Sequence, residues 1–75
     1  MNKKIIIAVN IGRLLAQQGI LPSQLARNLK FSRSYVSYLL AGKVMPSAER
    51  LHKIAQTLGV TSDSLFVKST SRRSG

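Results

Sequence analysis

Apolar residues recur at Ile7, Ile11, Leu14 and Leu15, the spacing of a single stripe along an amphipathic helix. Gly19 follows in the place of a helix-ending left-handed residue. The isoleucine run Ile5 to Ile7 suits a strand better than a helix, because branching at Cβ restricts χ1. We therefore expect the first helix to start between Lys4 and Ile7. Pro22 fits the first turn of a second helix, where its missing N–H leaves nothing unsatisfied, and Leu25, Ala26 and Leu29 form the apolar face. After a short link of Lys30 and Phe31, Ser32 is a good N-cap for a third helix. Its inner side is Val36, Leu39 and Leu40, and Gly42 closes it. Ser47 caps a fourth helix with a buried face of Leu51, Ile54, Ala55 and Leu58, ended by Gly59. Thr61 caps a brief fifth helix, Ser62 to Phe66, with Asp63 near its positive end. No strand pattern or repeat competes. The expected fold is all-α, five short helices in one domain.

The outer side of the third helix raises a question of its own. Within "FSRSYVSYLLAGK" it carries Arg33, Ser34, Ser37 and Tyr38, polar residues without the Glu and Lys of an ordinary solvated face. Helices two and three are joined by so few residues that they must cross steeply, which needs a small residue at their contact. Ala26 sits there, with Leu25, Leu29, Val36 and Leu39 filling the angle. This is the spacing of a helix-turn-helix.

Charge narrows the possible partners. Twelve Lys and Arg against two acids give +10 over 75 residues. Three of those cations, Lys68, Arg72 and Arg73, lie in the last nine residues, and the remainder still carries +7. Such a field favours a polyanion, nucleic acid first and an anionic membrane surface second. With no cysteine, disulfides and cysteine-ligated zinc are excluded. His52, Glu49 and Asp63 are too few for a metal cage or an acid/base pair, so neither a cofactor nor enzyme chemistry is expected. At the start, "MNKKIIIAVN" has an apolar run that stops at Asn10, shorter than the ~7–15 residues of a signal peptide. No stretch approaches the ~20 apolar residues of a membrane span, and the chain reads as cytoplasmic. "VKSTSRRSG" is Ser- and Arg-rich without apolar period and reads as disorder. The organisation expected is residues 1–6 as an arm or the start of helix one, 7–66 as the domain, and 67–75 as a basic tail.

From about Ile7 to Phe66 the chain resembles the lambdoid phage repressor and Cro group of the xenobiotic-response-element (Xre) family. The resemblance rests on "GILPSQLARNLKFSRSYVSYLLAGK" followed by "PSAERLHKIAQTLGVTSDSLF". It departs from the family in three places. Lys30 stands where the interhelix turn usually has glycine, which costs about 1–2 kcal/mol if that residue is left-handed. Leu21 and Pro22 replace a polar cap and a glutamine that often touch phosphate, leaving the N–H groups of Ser23 and Gln24 to bind an anion. Leu15 and Leu40 replace an arginine–glutamate pair. Losing both charges together is the tolerable way to lose a buried ion pair, since removing one partner alone costs ~3–5 kcal/mol.

The resemblance implies a sequence-specific regulator of transcription, a repressor, that reads the major groove of double-stranded DNA with helix three. It implies base contacts from Arg33, Ser34 and Tyr38, with Ser37 close by. Arg33 can fork onto guanine O6 and N7, and Tyr38 can give its hydroxyl or pack on a thymine methyl. By spacing alone Arg33 serves equally as a solvated first-turn residue, and the serines as weak helix formers on an idle face. Phosphate contacts are expected from Lys43, from Ser23 and Gln24, and from Arg27; Tyr35 reads as a phosphate contact or partial core. A homodimer on a near-palindromic operator is expected, joined through Leu65, Phe66 and Val67, with no small-molecule ligand and no membrane. An antitoxin that binds a partner protein is the alternative. Membrane-surface binding by "KKIIIAVNIGRLLA" is a third reading, and it would require an exposed apolar stripe.

Overall fold

The computed structural model describes residues 2–67. Four α-helices follow one another: α1 (Lys3–Gln18), α2 (Pro22–Leu29), α3 (Arg33–Leu40) and α4 (Ala48–Leu58). A 3-10 turn, Asp63–Phe66, completes the described chain. The expected fifth helix is therefore this single tight turn. The basic tail expected from residue 67 lies outside the described residues apart from Val67, which is extended.

Helix α1 begins earlier than the isoleucine run suggests. The Asn2 Oδ1 accepts from the Lys4 N–H at 2.8 Å, supplying an N-cap before the first isoleucine. The β-branched residues lose only a few tenths of a kcal/mol each in a helix, and burying Ile7 and Ile11 completely outweighs that loss. Leu15 and Ala8 are also buried, whereas Leu14 is only partly so.

The core is one cluster drawn from every element: Ile7, Ile11, Leu25, Val36, Leu39 and Ile54 lie at its centre. Leu51, Ala55 and Leu58 of α4 complete the face expected of them. The strip of α1 packs against α3, α4 and the 3-10 turn, while α2 packs on α3. Leu15 belongs to the cluster, and Leu40 packs against it partly buried.

One polar residue sits inside this core. Asn10 is 2% exposed, and its Nδ2 donates to the carbonyls of Leu65 at 2.7 Å and Val67 at 2.9 Å. Arg13 donates from Nη2 to the Asn10 Oδ1 at 3.1 Å. An amide buried without partners would be costly, and here it satisfies carbonyls that the short 3-10 turn leaves open. Asn10 thus pins the 3-10 turn and Val67 to α1 and holds Leu65, fully buried, in the core. Gln18 does a related job at the other end of α1, donating to the Leu58 carbonyl at 2.7 Å.

The turn between α2 and α3 confirms that Lys30 is left-handed, at φ 58° and ψ 36°. It has the sole positive φ among the described non-glycine residues. The Phe31 N–H reaches back to the Ala26 carbonyl at 2.9 Å, the long bond of a Schellman cap. At the end of α3, Gly42 has φ 74°, and a Cβ there would lie 3.2 Å from the Ile5 Cγ1. That close approach seats the start of α1 against the end of α3.

Candidate nucleic-acid interface

Helix α3 separates its residues cleanly. Ser32 caps it, its Oγ accepting from the Tyr35 N–H at 3.0 Å. Val36 and Leu39 point into the core, while Arg33, Ser34, Ser37 and Tyr38 are all exposed. Tyr38 leaves 52% of its surface in water. The two acids stand elsewhere, Glu49 in the first turn of α4 and Asp63 in the 3-10 turn. The outward face of α3 thus offers a guanidinium, three hydroxyls and an aromatic ring, with no carboxylate on the helix itself.

The N-terminus of α2 adjoins that face. An open depression of about 400 Å³ is lined by Pro22, Ser23, Arg33, Val36, Ser37 and Leu40. It brings Ser23 together with two of the expected base readers. Gln24 differs from expectation. Its N–H is already bonded to the Leu21 carbonyl at 2.9 Å, and its Oε1 accepts from the Leu21 N–H at 2.8 Å. The backbone N–H of Gln24 is thus taken up in closing its own helix cap, which leaves the Ser23 N–H as the backbone donor for an anion. Arg27 is exposed and lines a separate depression with Ile20, Gln24 and Asn28, apart from the α3 face. Lys43 is exposed just beyond Gly42, with its own N–H bonded to the Tyr38 carbonyl at 2.9 Å.

The helix-turn-helix family model matches residues 11–65 of this chain, from α1 to the 3-10 turn. The chain belongs to the Xre and lambda-repressor-like helix-turn-helix family. Its fold is similar to the crystal structure of NHTF, a hypothetical transcription factor from Neisseria, at a TM-score of 0.83 and 24% identity. That similarity covers 89% of this chain and 77% of the other. No curated protein matches the sequence. Membership of the helix-turn-helix family makes the chain a DNA-binding domain of the regulatory kind, in a family that is typically non-enzymatic. Among the described residues no His, Cys, Asp and Glu side chains group to hold a metal. No single described helix is long and apolar enough to cross a membrane.

Two of the expected site residues are drawn into the domain: Tyr35, read as a phosphate contact or partial core, and Leu65, expected at the dimer contact. Tyr35 is partly buried, and its hydroxyl is shielded from solvent without a hydrogen-bond partner among the described residues. It presents no donor to a phosphate in this conformation and acts as packing instead. Its ring meets Phe31 edge-on, with centroids 5.3 Å apart at 76°. Leu65 is the second. It is fully buried in its own domain, so of the three apolar residues Leu65, Phe66 and Val67 only the last two are exposed.

Sequence reasoning missed Arg50. Its guanidinium carbon lies 4.7 Å from the Tyr35 ring centroid and 5.6 Å from that of Phe31. The local signal for it was slight: an arginine three residues after the Ser47 cap, with its partners in another helix and in a turn.

Proposed function

We propose that this domain is a sequence-specific DNA-binding repressor that reads the major groove with α3 and works as a homodimer on a near-palindromic operator. The observation that carries the reading is the exposed, acid-free face of Arg33, Ser34, Ser37 and Tyr38, set in a helix-turn-helix. An acid on that face would meet phosphates at close range. Hydroxyls, a guanidinium and a phenol instead match the donors, acceptors and thymine methyls of the major groove.

Each side chain has a distinct task. Arg33 forks onto guanine, Ser34 and Ser37 donate or accept at base edges, and Tyr38 adds its hydroxyl or ring. The depression beside Arg33 has Val36, Leu40 and Pro22 in its wall. The apolar group that a base edge offers there is the thymine methyl. Ser23 supplies an N–H at the positive end of α2 to a backbone phosphate, and Lys43 adds a point charge. Arg27 adds long-range attraction from its separate position on α2.

A single short reading helix covers too few base pairs to select one genomic site, and a two-fold dimer doubles them. Phe66 at 38% and Val67 at 63% exposure support a dimer joined beyond the 3-10 turn's buried Leu65. Selection of bound duplexes from a random pool tests the function directly. We expect an enriched near-palindrome whose half-sites lie about one helical turn, ~34–36 Å, apart. A pool that remains unenriched would contradict the reading.

A further inference from the structure

We propose that Arg50, held on the Phe31–Tyr35 aromatic pair, is a built anchor for a DNA backbone phosphate flanking the bases read by α3. The inference deepens the DNA-reading proposal above and rests on it. Three independent features meet at one place. The first is the guanidinium itself, whose carbon lies over the Tyr35 ring at 4.7 Å and over the Phe31 ring at 5.6 Å from their centroids. An arginine on an aromatic face keeps the in-plane rim of N–H donors free, and that rim matches the paired oxygens of a phosphate. Stacking also restricts a long side chain in advance, so less conformational entropy is lost when an anion arrives. Arg50 is exposed, and no carboxylate pairs with it among the described residues.

The second feature is a depression of about 300 Å³ lined by Lys30, Phe31, Ser32, Tyr35 and Arg50. It holds two cations, Lys30 and Arg50, and the hydroxyl of Ser32, the cap immediately before Arg33. A phosphate here would therefore sit next to the N-terminus of the reading helix. The third feature is the backbone of Lys30. A side chain at φ 58° is strained relative to glycine, yet the strained residue here is a lysine, and it adds charge to this depression. The buried Tyr35 hydroxyl is not a donor to the site; its ring is the platform.

The chemistry recognised is a phosphate monoanion, and we assign it to the DNA backbone because the site adjoins Arg33 and Ser34. The test uses the full chain and the duplex selected above. Arg50→Met keeps much of the stem and removes the charge, and circular dichroism with thermal melting checks its fold. We expect affinity to fall roughly tenfold for all sequences alike, and the slope of log affinity against log salt to shrink by about 1.8, one phosphate's worth for each protomer of the bound dimer. Replacing operator phosphates one at a time by neutral methylphosphonate should weaken wild type at one flanking position in each half-site and leave Arg50→Met unchanged there. An Arg50→Met protein with wild-type affinity and slope, on a duplex that wild type binds selectively, overturns the anchor alone. Failure of wild type to select any duplex overturns the DNA reading and the anchor with it. Should Arg50→Met not fold, Arg50→Lys gives the second measurement. It keeps the charge but lacks the planar fork, and we expect about a three- to tenfold loss that vanishes on the duplex modified at that phosphate. Unchanged Arg50→Lys affinity on the unmodified duplex refutes the anchor. Inorganic phosphate and anionic phospholipid vesicles serve as the other arms. Competition by either at millimolar phosphate, equal to that of the duplex backbone, would reassign the site to free phosphate or to a lipid headgroup and overturn the DNA assignment.

Discussion

Arg33 and Asn10 show how differently single residues act in this domain. Arg33 touches little of its own protein, so replacing it tests binding with little effect on the fold. Arg33→Ala should cost ~1–3 kcal/mol on the selected operator and relax preference at one base pair. Fluorescence anisotropy on the operator and its single-base variants measures both, and a variant with unchanged base preference would remove Arg33 from the readers. Asn10 is the opposite case. It is buried, and its amide holds the Leu65 and Val67 carbonyls. Asn10→Ala strands those acceptors and should destabilise the domain by about 1–3 kcal/mol in urea unfolding. Stability equal to wild type would show that water replaces the amide without loss.

At the scale of elements, each helix is bounded by local chemistry, and the junctions between helices are set by close contact. Asn2, Ser32 and Ser47 cap α1, α3 and α4 with side-chain oxygens. Leu21 cannot cap α2 in that way, and Gln24 covers its N–H instead. The junction of α3 with the start of α1 depends on Gly42. A methyl group there meets Ile5 at 3.2 Å while the backbone stays left-handed. Gly42→Ala should therefore lower stability by about 1–2 kcal/mol or more. Thermal melting followed at 222 nm reads the loss, and a melting point equal to wild type would show that Ile5 moves aside freely.

The whole molecule behaves as a small cation with one reading helix. Its +10 charge predicts strong salt dependence. Raising salt from about 50 to about 200 mM should reduce operator affinity at least ~10³-fold if roughly six phosphates are neutralised by the bound dimer. A nearly flat salt response would remove the electrostatic part of the proposal. Self-association should be weak without DNA, because Phe66 and Val67 form a small patch and each copy repels the other. Ultracentrifugation should show monomer at micromolar concentration, and gel shifts should show cooperative assembly on the full operator. Equal affinity for a half-site and the full site, with one protomer per duplex, would contradict the dimer.

By itself the sequence determined what depends on near neighbours. The caps Ser32 and Ser47, the apolar stripes of α1 and α4, the helix-ending glycines and the small Ala26 at the crossing are all signals within a few residues of their effect. The exposed face of α3 was legible for the same reason: one side of a helix follows from the turn length once the buried side is known. Tertiary structure decided what joins distant positions. Asn10 looked like the polar end of an apolar run, yet its partners lie 55 and 57 residues away. Tyr35 had the spacing of a phosphate contact, but its ring is enclosed by Phe31 and by an arginine from α4. Leu65 looked free to join two copies, and the core of its own domain takes it. No local pattern announces these pairings, because packing brings together groups whose separation along the chain carries no period.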